Sequence, residues 1–134
     1  DRANSNTNYF TLKPDSTTST YAISVSSDRR LKEHIDYLGK EADLEFVRTL
    51  KPALFEKDGN RYYGFYAQDI QESDPYGTKI ITESPLSADS EDTYLFLDYQ
   101  ALIAPLVAYT QHLEQKVNDL ESRLAALEAR MEQE

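Results

Sequence analysis

From Ile103 onward the apolar residues repeat every seven positions. Ile103, Val117, Leu124 and Met131 share one position with a single polar member, Thr110, while Leu106, Leu113, Leu120 and Leu127 share another. These are the a and d positions of a heptad, and the stripe predicts a helix of about 30 residues, roughly 45 Å long at 1.5 Å per residue. Such a helix is unstable in water unless its stripe is covered. Lys116 and Arg123 stand at g, and Glu121 and Glu128 at the following e positions, so parallel neighbours would face opposite charges. A parallel oligomeric coiled coil is expected, against the alternative of one amphipathic helix packed on its own domain. The seam is narrow, which suits another helix better than a broad sheet face. β-branched residues at a with Leu at d lean towards two strands in the simplest rules, and the heptads alone leave two or three strands open.

Upstream the periods are shorter and mixed. A helix is expected over Glu41 to Leu50, ending before Pro52. Phe55-Glu56-Lys57 and Arg61-Tyr62-Tyr63 flank Asp58-Gly59-Asn60, which is a hairpin pattern. A strand is expected over Lys79 to Thr82, then an acidic loop from Ser84 to Asp92, then a strand at Tyr94-Leu95-Phe96-Leu97. Eight of the ten tyrosines lie between Tyr21 and Tyr99, where their rings are expected to fill a small core with their hydroxyls reaching water or a partner. The first 26 residues are rich in Asn, Ser and Thr. Within them Tyr9-Phe10-Thr11-Leu12 and Tyr21-Ala22-Ile23-Ser24-Val25 read as short strands around a Pro14-Asp15-Ser16 turn, with Tyr21, Ile23 and Val25 on one face. So small an apolar set cannot form a core alone, and the zone is expected to pair with other chains or to end a longer β structure. The expected fold class is α+β: a short β segment (1–26), a small mixed globular region (27–100) and a long coiled-coil helix (101–134).

Charge narrows the function. The 134 residues carry 24 acids against 14 Lys and Arg, a formal net charge of -10, which repels nucleic acid and anionic lipid. A DNA-binding factor is disfavoured, and neither nucleic acid nor membrane is an expected partner. No run approaches the roughly 20 apolar residues of a membrane span, and no signal peptide opens the sequence, so a soluble chain is expected. There is no cysteine, and His34 and His112 stand far apart, so no metal site and no cofactor are expected.

The candidate chemistry lies in SSDRRLKEHI, residues 26–35. In the plainer reading Ser27 is the N-cap of a helix, with Asp28 at the positive end of its dipole, although Arg30 stands where a capping box has Glu or Gln. In the chemical reading the Ser27 hydroxyl is a nucleophile and Lys32 its base, a role a lysine can fill once burial favours its neutral form. Arg29 and Arg30 would further disfavour an ammonium charge at Lys32, unless both are solvated surface charges.

Ser27-Asp28-Arg29-Arg30-Leu31-Lys32, taken with Gly64-Phe65-Tyr66-Ala67-Gln68-Asp69-Ile70 and the terminal heptads, resembles the C-terminal intramolecular chaperone domain of phage endosialidases, tailspikes, tail fibres and neck appendages. The resemblance covers about Ser27 to the end. It implies a homotrimer that assists folding of the β-structured fibre upstream in the same polypeptide, then releases itself by autoproteolysis, here at Ser26-Ser27. Ser27 would be the nucleophile and Lys32 the base of a Ser-Lys dyad that turns over once, with Asp28 setting the turn between them and Gln68 as a possible support. Gly64 would permit close backbone approach, while Ala67 and Ile70 read as packing residues. His34 departs from relatives that carry a smaller polar residue there. The resemblance also implies assembly in the host cytoplasm, with the fibre entering the virion and the chaperone released. The alternative is a non-enzymatic trimerisation or attachment module of a fibre protein, in which Ser27 is only a cap.

Overall fold

A computed structural model of the chain describes residues 10–14 and 21–133. It divides into two compact units, with the boundary between Tyr37 and Leu38.

In the first unit β1 (Phe10–Pro14) pairs antiparallel with β2 (Tyr21–Val25), in a register running from Phe10↔Val25 to Pro14↔Tyr21. The first strand extends further than the expected Tyr9-to-Leu12 stretch, to Pro14. A two-stranded sheet leaves each strand an outer edge, where a missing N–H is tolerated. Tyr9, the turn residues Asp15 and Ser16, and the side chains of Tyr21, Ile23 and Val25 lie outside the described residues.

The second unit begins with α1 (Glu41–Thr49). Asp43 caps its N-terminus by accepting the backbone N–H groups of Gly39 at 2.7 Å and Lys40 at 2.8 Å. The helix ends before Pro52 as expected but one residue short of the expected Leu50, which is already extended. Next come β3 (Ala53–Lys57) and β4 (Asn60–Gly64), paired from Ala53↔Gly64 to Lys57↔Asn60. The loop is Asp58-Gly59 alone, with φ of 52° and 75°. Positive values at both central residues mark a type I′ turn, for which Asp-Gly is a favoured pair. A short helix α2 (Ala67–Gln71) follows, then β5 (Ile81–Pro85) and β6 (Thr93–Leu97) in a second antiparallel hairpin. Here β5 starts two residues later than the expected Lys79 start, because Ile80 is drawn into the core at 5 % exposure. Its strand continues through Ser84 and Pro85, shortening the acidic loop to 86–92. A 3₁₀ turn (Tyr99–Leu102) leads into α3 (Ile103–Glu132), whose 30 residues match the length the heptads predict.

The core is Phe46 from α1, Ile70 from α2, Ile80 before β5 and Leu102 before α3, with Leu50, Phe65, Ile81, Leu97 and Ala101 packed against it. The Asp98 N–H donates to the Ile80 carbonyl at 2.9 Å and ties the ends of the β5–β6 hairpin together. On α1, Arg48 donates to Glu41 at 2.6 Å and Glu45 at 3.1 Å, and its guanidinium sits 5.9 Å from the centre of the Tyr109 ring on α3. These contacts hold the Arg48 guanidinium charged beyond its ordinary range, chiefly through Glu41, and its hydrogen bond holds the Glu41 carboxyl below the usual carboxylate range.

The tyrosine core does not form. All seven tyrosines from Tyr37 to Tyr99 are exposed, Tyr63 at 89 %. Two-stranded hairpins leave wide faces uncovered, and the small aliphatic set together with Phe46 and Phe65 fills the interior without them. Two tyrosine hydroxyls do work inward: Tyr76 donates to Asp43 at 2.9 Å, and Tyr99 accepts the Phe65 N–H at 3.2 Å.

Along α3 the buried and half-buried residues lie off the heptad seam. Ala108 is buried and Tyr109 half-buried, whereas all eight apolar a and d residues are exposed, from 43 % at Leu106 to 67 % at Met131. Thr110, the polar a residue, turns its hydroxyl onto the Leu106 carbonyl of its own helix at 2.8 Å. The fold is therefore α+β with a long C-terminal helix whose apolar stripe this single chain leaves uncovered.

Candidate active site

Residues 26–40 are all exposed, and short-range polar contacts set their shape. Asp28 has an extended backbone, and its Oδ1 accepts the Arg30 N–H at 2.8 Å. It is therefore Asp28, one residue later than expected, that caps the turn. The helix itself is a single 3₁₀ turn (Arg29–Leu31), closed by the Leu31 N–H on the Asp28 carbonyl at 3.0 Å and the Lys32 N–H on the Arg29 carbonyl at 3.1 Å. Asp28 prevails as cap because its carboxylate also receives the Arg30 side chain, with Nε 3.0 Å from Oδ1 and a terminal guanidinium nitrogen 2.7 Å from Oδ2. This pairing holds the Asp28 carboxyl below its ordinary range and the Arg30 guanidinium above its own.

With Asp28 as the cap, the Ser27 hydroxyl is available to another partner. Lys32 follows the turn in an extended conformation, and its Nζ donates to Ser27 Oγ at 2.7 Å. The structure thus brings together the two residues singled out for the chemistry, next to the Ser26-Ser27 peptide bond. Of the two arginines expected to press on Lys32, Arg30 is committed to Asp28. The Asp28–Arg30 pairing was not anticipated in the sequence, where only their spacing of two residues hinted at it.

His34, two residues past Lys32, has φ of 51° and is exposed. The left-handed region disfavours most side chains with a Cβ, and short polar residues enter it most easily.

Gly64 to Ile70 belongs to the second unit. Gly64 is buried, and a Cβ there would collide with the Tyr99 hydroxyl, as the expected close approach requires. Ile70 is the most deeply buried core residue at 1 % exposure, Ala67 is half-buried, and Gln68 is exposed on α2. His112 lies half-buried on α3, 6.4 Å from the Tyr109 ring. The second unit also holds a cavity of about 340 Å³ between Phe46, Tyr76, Ile80 and Ala101. Its acids are engaged by their own unit: Asp43 as above, Asp74 by Thr78, and Asp98 by the Gln100 N–H. Among the described residues no group of His, Asp or Glu could hold a metal ion, and no helix is long and apolar enough to cross a membrane.

Residues 27–78 match the model of a peptidase family described as chaperone of endosialidase. The matched stretch begins at Ser27 and includes both the Ser27-to-Lys32 and Gly64-to-Ile70 motifs. No match was found among curated proteins. The family match supports the C-terminal intramolecular chaperone domain that the motifs resemble, and with it an intramolecular chaperone role. The family is a self-cleaving peptidase domain, which supports autoproteolysis in general.

Proposed function

We propose that this chain gathers three copies through the α3 seam, assists the folding of a β-structured phage fibre joined to its N-terminal side, and then cuts itself free at Ser26-Ser27. In this reading residues 1–26 are the end of the fibre, 27–100 the chaperone and processing region, and 101–134 the coiled coil. Assembly takes place in the host cytoplasm, after which the fibre enters the virion and the chaperone is released. The observation that carries the chemistry is the 2.7 Å contact between Lys32 Nζ and Ser27 Oγ. The exposed a and d residues support the assembly.

With its amine neutral, Lys32 accepts the Ser27 hydroxyl proton across the same contact. Oγ attacks the adjoining Ser26 carbonyl carbon through a five-membered ring, the C–N bond to Ser27 breaks, and Lys32 returns the proton to the departing amine. The result is an ester between the Ser26 carbonyl and Ser27 Oγ. Water then opens it, leaving a carboxylate on Ser26 and a free amine and hydroxyl on Ser27. Proximity supplies much of the rate, since nucleophile and carbonyl are neighbours in the chain. Both side chains are exposed in the single chain, so this reading requires the neighbouring copies of the trimer to bury the pair.

The benefit lies in folding order. A trimeric β fibre depends on non-local pairing and is slow to form, and its open edges invite aggregation. A coiled coil that collects three chains first makes the remaining search nearly intramolecular. Removing it afterwards closes the reverse route, so the fibre's durability becomes kinetic.

Intact-mass spectrometry of freshly refolded protein tests the cut. A new N-terminus at Ser27, lost in Ser27→Ala and in Lys32→Ala, is expected. An intact mass under every refolding condition would favour a trimerisation module without chemistry.

A further inference from the structure

Asp28 and Lys32 flank the same 3₁₀ turn, Asp28 as its N-cap and Lys32 as its C-cap, and an ammonium group ordinarily prefers a nearby carboxylate to a hydroxyl. Here it does not take that partner. Lys32 Nζ lies on Ser27 Oγ at 2.7 Å, while both oxygens of Asp28 are occupied by Arg30: Oδ1 by the backbone N–H at 2.8 Å and Nε at 3.0 Å, Oδ2 by a terminal nitrogen at 2.7 Å. A guanidinium fork matches a carboxylate in this two-pronged way, which a lysine amine cannot reproduce.

We infer that Arg30 is a positioning residue of the self-cleaving pair: it occupies and neutralises the Asp28 carboxylate, which keeps Lys32 out of a competing ion pair and on the Ser27 hydroxyl. This rests on the self-cleavage reading above. The charged groups of its own segment are Asp28, Arg29, Arg30, Glu33, His34 and Asp36. Lys32 is extended, so the side chain of adjacent Glu33 projects to the opposite side. Asp28, held in the same turn as Ser27, is the acid placed to compete. The lowered Asp28 titration, caused by Arg30, agrees with a carboxylate already satisfied.

Removing the Arg30 guanidinium frees a carboxylate beside Lys32, which favours the protonated amine and opposes its work as a base. The test compares Arg30→Gln with the double variant Asp28→Asn/Arg30→Gln, which keeps a capping oxygen but removes both charges. For Arg30→Gln, the midpoint of the cleavage pH–rate profile should rise by about half to one pH unit, less at high salt, slowing cleavage near neutral pH about three- to tenfold. The double variant should return the midpoint to that of the unaltered chain. A purely structural role for Arg30 would lower the rate in both variants without moving the midpoint. A profile for Arg30→Gln that superimposes on the original, or a double variant that retains the full shift, overturns the inference. A second readout does not depend on cleavage: in the Ser27→Ala chain, the pH midpoint of the Lys32 Cε NMR signal should rise when Arg30→Gln is added, and no rise overturns the inference. If the unaltered chain never gains the Ser27 N-terminus, the self-cleavage reading falls, while the Lys32 titration still decides whether Arg30 governs this pair.

Discussion

Residues 26–40 and the stretch from Glu41 to Ala108 keep their shape by opposite means. In the first every residue is exposed, and polar contacts give the order, among them Asp28 on Arg30, Lys32 on Ser27 and the Gly39 and Lys40 N–H groups on Asp43. In the second, Phe46, Ile70, Ile80 and Leu102 are removed from water and the polar contacts fasten a core that already exists. Exposed ion pairs are weak and screened by salt, whereas each buried aliphatic side chain stabilises by about 1.5–3 kcal/mol. The candidate chemistry thus sits on the part of the chain that the single copy holds least firmly. The exposed seam of α3 lies on the part that a single copy leaves unfinished. In the proposed function this difference lets cutting await assembly: the pair is prepared locally, and other copies are to supply the burial it lacks.

The largest expected effect comes from breaking the unfinished part alone. Leu120→Asp removes an apolar d residue from each of three copies, about 5–9 kcal/mol per trimer by burial. Light scattering should show monomer, circular dichroism should still show the folded second unit, and cleavage should cease. A trimer that survives would break the proposed division of labour. Next is the core. Ile70, at 1 % exposure, should cost about 2–5 kcal/mol as Ile70→Ala, read by denaturant unfolding of the second unit. The same variant should leave the NMR signals of Ser27 and Lys32 in place if the two regions are held independently.

A smaller effect is expected at Gly64. Gly64→Ala drives a methyl group into Tyr99 and Phe55 and should cost about 1–3 kcal/mol, with loss of the Phe65-to-Tyr99 hydrogen bond visible as faster amide exchange at Phe65. The smallest concerns Asp43. Burial would raise its titration, but the donors from Gly39, Tyr76 and Lys40 outweigh that and hold it below the ordinary range. A carboxyl depressed in the folded state contributes fully above its unfolded value of about 4, and that contribution is lost as pH falls through the lower folded value. Asp43→Asn should therefore lower stability at neutral pH by about 1–2 kcal/mol and flatten the loss below about pH 4, measured by urea unfolding across pH.

Much of this arrangement was legible in the residue pattern, unevenly. The heptads gave α3 its start and length because a repeat over four turns or more is set by the chain itself. Asp58-Gly59 marked the β3–β4 turn because its positive φ values suit few residue pairs. Pro52 marked the end of α1. The start of β5 was missed by two residues, since Ile80 answers to the core rather than to its strand. The tyrosines were misplaced for a related reason: their apolar rings suggested an interior, but two-stranded hairpins have no second layer to bury them.

At the candidate site the pair was legible and the cap was not. Serine and aspartate both cap helices well, and only the fork of Arg30 on Asp28 decides between them. That contact depends on how a turn closes, which local preference does not encode. Gln68 shows the opposite limit: it falls inside the matched stretch, but its exposed place on α2 assigns it no chemical part.

The dependence of cutting on assembly is tested most directly by following intact mass over time at several protein concentrations, from well below to well above the midpoint of trimer formation. The account predicts that the fragment beginning at Ser27 appears faster as the trimer fills and stays absent in Ser27→Ala at every concentration. Cleavage at the same rate in dilute monomer, or none in fully assembled trimer, would contradict it.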